Sequence, residues 1–283
     1  MSDLILARMK SFQCKTLEHE RQAMREIIQE ATLAGLWRSK FFEHGAFYGG
    51  TALRILHGLD RFSEDLDFTL LGPKANFQLK SYLNAVSDEL KAIGFDVTVE
   101  SKKEGSKIDS AFVKAGTMQH LLMIKSPFKT HRDEMLNVKI EIDTDPAFGF
   151  STEAKTLNWP YLFSVVACDL PSLFAGKIHA LLCRPRVRNI KGRDWYDLLW
   201  YLSRKIPFKC TYLELKLIQS GVYSAGDPFD ARTVIKLIHE KIDGLDIAAA
   251  KRDVARFIAH PERLDGWTIE NLKQASSALT MVP

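Results

Sequence analysis

No run in this 283-residue chain approaches the ~18 uncharged apolar residues that a membrane-spanning helix needs. The densest short stretches are Leu121–Ile124 and Phe163–Cys168, so no membrane partner is expected. The first ten residues carry only a four-residue apolar patch, Leu4–Ala7, and no cleavage-like site, so no secretory signal is read there and a cytoplasmic location is expected. Cysteine is scarce. Cys14, Cys168, Cys183 and Cys210 are far apart and form no C-x-x-C pair, which signals neither a zinc site nor a redox motif and leaves four small hydrophobes. Charge of one sign is not in excess, since 39 Lys and Arg against 35 Asp and Glu leave +4 with histidines neutral. So mild a balance builds no useful field, and only local clusters can point to a partner. Several catalytic signatures are missing too: G-x-S-x-G, G-x-x-x-x-G-K-[ST], H-E-x-x-H and G-x-G-x-x-G do not occur, and His44, His57 and His179 are not spaced as ligands.

What is present is ordinary folded composition, 46% hydrophobic and 26% charged, in a length that allows about two domains. Residues 15–34 set Leu17, Met24, Ile27, Ile28 and Leu33 among charges, with Gly35 as a stop signal, and read as an amphipathic helix. From residue 41 to 151 the texture alternates. β-like runs fall at Phe47–Tyr48, Leu66–Leu71, Phe95–Val99, Ser110–Val113, His120–Ile124 and Val138–Ile142, and helices are predicted at Thr51–His57 and Ala75–Ile93. Such alternation predicts an α/β or α+β layer with helices packed on a sheet. Beyond Pro171 the pattern is helical, with segments near 171–184, 193–204, 211–219, 229–243, 246–258 and 268–279. The expected division is residues 1–167, an α/β domain with an N-terminal helix, and residues 168–283, a helical domain.

The chemistry concentrates in Tyr48-Gly49-Gly50-Thr51 and, after thirteen residues, Asp65-Leu66-Asp67-Phe68. Two glycines between a strand and a helix let backbone approach a ligand closely, and the helix start offers N–H groups to phosphate oxygens, with the Thr51 hydroxyl beside them. Asp65 and Asp67 stand two apart on an apolar strand, so both carboxylates leave the same face. Carboxylates crowded in this way favour a hard cation, and Mg²⁺ completes its shell with phosphates and water. A phosphate cradle beside such a pair implies chemistry on a nucleoside triphosphate. On 137–143 the residues Val138, Ile140 and Ile142 share a face opposite Lys139, Glu141 and Asp143, which makes Glu141 the first choice for a third acid and Asp143 the alternative.

Gly-Gly-Thr, the Asp-x-Asp pair and the later apolar-Glu-apolar strand resemble the DNA polymerase β type nucleotidyltransferase superfamily. More narrowly, Gly49–Phe68 with Arg61-x-Ser63-x-Asp65-Leu66-Asp67 resembles the AbiEii/AbiGii toxin family, the toxin half of type IV toxin–antitoxin and phage abortive-infection systems. Lys177-Ile178-His179-Ala180-Leu181-x-x-Arg184 and Arg193-Asp194-Trp195-Tyr196-Asp197-Leu198 match later motifs of that family. The resemblance departs in having Gly-Gly-Thr where Gly-Ser is frequent. It implies a polymerase β-like domain with a mixed sheet and a C-terminal helical domain, the active site lying in the cleft between them. It also implies transfer of a nucleotide, a pyrimidine in characterised relatives, to the 3′ end of tRNA, with arrest of translation and a cognate antitoxin as partner.

On this reading Asp65, Asp67 and Glu141 or Asp143 bind Mg²⁺ or Mn²⁺, and Gly50, Thr51, Arg61 and Ser63 serve the nucleotide. Lys177 reaches the triphosphate with Arg184 or Arg188, and Asp194 holds Lys177 or the site geometry. Arg184–Arg193 carries five basic residues and no acid, a cluster suited to the triphosphate or an RNA backbone. Trp195, Tyr196 and Trp200 are spaced to stack a base or to fill a core. Rival readings keep every named residue but change the acceptor to a protein hydroxyl or a small molecule, or keep NTP or RNA binding without catalysis.

Overall fold

A computed structural model describes residues 2–73, 77–101, 117–125, 135–184 and 190–283. The β-like run Ser110–Val113 and the expected nucleotide ligand Arg188 lie outside them. The chain forms two compact units, the first made of residues 1–58, 62–146 and 153–167 and the second of residues 59–61, 147–152 and 168–283.

The first unit contains α1 (Asp3–Ser11), α2 (Leu17–Arg38), β1 (Gly45–Tyr48), α3 (Gly49–His57), β2 (Asp65–Leu70), α4 (Lys80–Ile93), β3 (Val97–Ser101), β4 (Thr117–Lys125), β5 (Met135–Asp143), β6 (Thr152–Leu157) and β7 (Phe163–Cys168). Its strands make one mixed seven-stranded sheet in the order β3-β4-β5-β2-β1-β7-β6. The central pairing is β2 with β5, parallel, and β2 with β1, antiparallel. Leu66, Phe68 and Leu70 of β2 and Val138, Ile140 and Ile142 of β5 are fully buried, so the alternation in both strands sends one face into the core and leaves the other to the acids.

Helices α2 and α4 cover the sheet unit. The expected stop at Gly35 is not one: α2 continues to Arg38, and a Cβ at residue 35 would stand 2.6 Å from the Val86 Cα of α4. The glycine marks a close helix crossing, where only a missing side chain lets the two backbones meet. Helix α4 starts at Lys80, not at Ala75, which lies outside the described residues. Strands β6 and β7 were not anticipated. β6 shows no buried residue and ends the sheet, and an edge strand of this polar composition has no core face to announce it.

The second unit is helical: α5 (Leu170–Cys183), α6 (Gly192–Ser203), α7 (Cys210–Gln219), α8 (Ala231–Asp243), α9 (Ile247–Ala255) and α10 (Ile269–Ser276), with the two-residue strands β8 (Phe208–Lys209) and β9 (Met281–Val282) paired in parallel. Asp169 caps α5 by accepting the Ser172 N–H at 3.0 Å, and Pro171 sits in the first turn, where its missing N–H costs nothing. Phe174 of α5 stacks on Tyr201 of α6 with centroids 4.1 Å apart, which packs together the helices that carry Lys177 and Asp194.

Candidate active site

In the sheet unit the acid pair is built by strand register. Asp65, Asp67 and Thr69 of β2 lie opposite Lys139, Glu141 and Asp143 of β5, so Glu141 stands level with Asp67, and Lys139 with Asp65. Glu141 is ion-paired with Lys139 on the same face. Asp143 lies one step further on, is buried, and accepts the Asp145 N–H at 3.3 Å, so it closes the turn that follows the strand.

Helix α3 begins directly beside these acids. Gly49 has φ +83°, and a Cβ there would come within 2.9 Å of the Asp67 Cγ. A side chain at this position would be strained by the backbone and would displace the carboxylate. Tyr48 supplies no side-chain cap, so the first N–H groups of α3, at Gly49, Gly50 and Thr51, form the kind of helix start that receives anions. Thr51 is wholly buried and its hydroxyl donates to the Asp65 backbone carbonyl, so it ties α3 to the acid strand and does not present that hydroxyl to a phosphate. The Ser63 carbonyl accepts from Gln29 Nε2 at 3.1 Å, which holds the approach to β2 against α2.

Among the described residues no three acidic, histidine or cysteine side chains stand together as a ready metal cage. The donor set nevertheless fits Mg²⁺, which is commonly held by one or two carboxylates and completes its octahedron with substrate phosphates and water. Asp65 and Asp67 are the two carboxylates that would hold such an ion, and Glu141 stands level with Asp67 in the register.

In the helical unit the family-motif charges form one connected cluster. Lys177 Nζ lies 2.6 Å from Asp197 Oδ2 and 3.4 Å from Asp194 Oδ1. Arg184 Nε meets Asp194 Oδ2 at 2.8 Å. Arg61, expected at the nucleotide, is instead only 2% exposed, and its Nε and Nη2 each lie 2.6 Å from a different oxygen of Asp197. This correction has a plain cause: a buried guanidinium needs a carboxylate, and Asp197 offers both oxygens in the fork geometry arginine prefers. Burial alone would raise the Asp197 carboxyl, but Arg61 and Lys177 outweigh it and hold the group below the usual carboxylate range. Asp194 is expected to hold Lys177, whereas Asp197 of the same motif is its closer partner. The signal was the three-residue spacing that puts both acids on one face of α6.

Trp195 and Trp200 are each 6% exposed and belong to the core, not to a stacking surface. Of the basic cluster, Arg184 and Lys191 line a shallow pocket with Asp194, Trp195 and Lys241.

A mixed sheet together with a helical unit is the fold of solved chains described as nucleotidyltransferases. By fold the chain is similar to MenT4, a nucleotidyltransferase toxin from Mycobacterium tuberculosis H37Rv, with TM-score 0.52, 17% identity and 98% of each chain covered. It is also similar to JHP933 from Helicobacter pylori, with TM-score 0.51, 15% identity, and 98% of this chain and 92% of that one covered. No curated protein matches the chain. Residues 31–274 match the family model described as nucleotidyl transferase AbiEii toxin of type IV toxin–antitoxin systems, and the chain belongs to that family. It is therefore a nucleotidyltransferase that acts on an NTP, and an antitoxin is implied as its counterpart. Among the described residues no helix is long and apolar enough to cross a membrane.

Proposed function

We propose that this toxin transfers a nucleotide, a pyrimidine by family resemblance, from an NTP to the 3′ end of tRNA and so blocks translation. The acceptor hydroxyl oxygen forms a bond to the α-phosphorus as the bond to pyrophosphate breaks, and the hydroxyl proton is lost to solvent or base. Asp65 and Asp67 hold the divalent metal, Mg²⁺ or Mn²⁺, with Glu141 as third acid in preference to Asp143. When bound, the metal supplies charge neutralisation for the attacking and departing oxygens. The backbone N–H groups of Gly49, Gly50 and Thr51 receive phosphate oxygens at the start of α3. Lys177 serves the triphosphate as a point charge together with Arg184, and Asp194 and Asp197 hold the ammonium in place.

The observation that supports this reading is Gly49 close against the Asp67 carboxylate at a helix start without a side-chain cap, where amides able to receive anions would adjoin acids able to hold a metal. Incubation of the protein with Mg²⁺, each α-³²P-labelled NTP in turn, and total tRNA tests it. The expected result is label on tRNA from one pyrimidine NTP and none on tRNA whose 3′-terminal ribose has been oxidised by periodate. Label on protein would move the reading to a hydroxyl of a protein acceptor, and the absence of label on any RNA would refute the tRNA assignment.

A further inference from the structure

Lys177 shares its charge with two carboxylates, and the arrangement around them decides how much of that charge remains. Asp197 is fully buried. A buried carboxylate that met lysine alone would compensate the ammonium at short range, leaving a neutral pair. Arg61 changes this count by taking both oxygens of Asp197. Arg184 pairs with Asp194. Among the described residues these ion pairs set three cations against two carboxylates, a surplus of one positive charge. Its location follows from exposure: the Arg61 side chain is 2% exposed, Lys177 16% and Arg184 35%, so the surplus faces outward at Lys177 and Arg184 and not at Arg61.

We infer that Arg61 is a positioning residue for nucleotidyl transfer: by occupying both oxygens of Asp197 it fixes the point where Lys177 meets that carboxylate and leaves the lysine's charge only partly compensated, available to a triphosphate. The inference rests on the reading of Lys177 as a triphosphate contact. Lysine cannot replace the arginine, because a single ammonium lacks the two parallel N–H donors of the guanidinium fork.

The test measures KM for NTP and kcat through pyrophosphate release, with each of the four NTPs in turn, Mg²⁺ and total tRNA, on full-length variants of verified thermal midpoint. Arg61→Gln is expected to raise the NTP KM on the order of tenfold, with a much smaller change in kcat. Arg61→Lys is expected to raise it by a smaller factor. The double variant Arg61→Gln/Asp197→Asn removes one charge of each sign, restores the surplus, and is expected to bring KM back towards the wild-type value. A double variant whose KM stays as high as that of Arg61→Gln would show that the surplus charge is not what the NTP senses, and that result overturns the inference. Wild-type KM in a folded Arg61→Gln protein overturns it too, and if Arg61→Gln does not fold, wild-type KM in Arg61→Lys does the same. Lys177→Ala separates the layers. If it leaves KM unchanged, the triphosphate reading of Lys177 fails, whereas a raised KM there with wild-type values in the Arg61 variants refutes the positioning role alone.

Discussion

Replacing Gly49 by alanine separates the stability of the site from its geometry. Residue 49 has φ +83°, and an alanine in that region costs roughly 1–2 kcal/mol of backbone strain. The new Cβ would also lie 2.9 Å from the Asp67 Cγ. Carbon atoms rest at about 3.5–4.0 Å, so the carboxylate must move by roughly 0.5–1 Å. A displacement of that size at a reacting centre lowers the rate by about 10–100-fold. Gly58 is the natural control. Its φ is +70° but a Cβ there meets nothing within 4 Å, so Gly58→Ala carries similar strain without the collision. Both variants should lose several degrees of thermal midpoint, at ~2–4 °C per kcal/mol for a chain of this size class. Only Gly49→Ala should lose most of its nucleotidyl-transfer activity, followed as pyrophosphate release. Equal activities in the two variants would refute the claim that Gly49 exists to admit the Asp67 carboxylate.

Thr51→Val keeps the buried shape but removes the hydrogen bond to the Asp65 carbonyl, and should cost ~1–3 kcal/mol in denaturant unfolding while Thr51→Ser stays near wild type. Gly35→Ala should destabilise by about 1–3 kcal/mol despite alanine's better helix propensity, because the Cβ meets the backbone of α4, and calorimetry would show a lowered midpoint. The Asp197 carboxyl sits below its unfolded value, since Arg61 and Lys177 overcome the effect of burial. Its stabilisation is therefore complete above pH ~3.9 and is lost as pH falls through the lower folded value, while the unfolded chain takes up the proton first. Asp197→Asn should be less stable at neutral pH by roughly 3–5 kcal/mol, and its thermal midpoint should fall less steeply than wild type below that pH.

The central strands were legible because each states its faces in alternation: Leu66 and Phe68 against Asp65 and Asp67, Ile140 and Ile142 against Lys139 and Glu141. The register that sets Glu141 level with Asp67 was not, since pairing between strands more than seventy positions apart is a tertiary choice. Helix α5 could be read from the helical pattern that starts at Pro171. Gly35 misled because a glycine that ends a helix and one that admits a neighbouring helix look alike in one sequence. Arg61 misled for a related reason. Its place in a motif beside the acids suggested the nucleotide, whereas its partner Asp197 lies 136 residues on and becomes visible only in the fold. Thr51 shows the same limit on a smaller scale, because a hydroxyl at a helix start can face a ligand or the neighbouring strand, and no local pattern says which.

The most direct test of the account compares wild type with Asp67→Ala in the presence of Mg²⁺, the preferred α-³²P-labelled NTP and tRNA, after circular dichroism has established equal folding. The account predicts label at the tRNA 3′ end, released pyrophosphate in equal amount, and loss of both in Asp67→Ala. Transfer that persists in a folded Asp67→Ala protein would contradict the assignment of the chemistry to the Asp65–Asp67 pair.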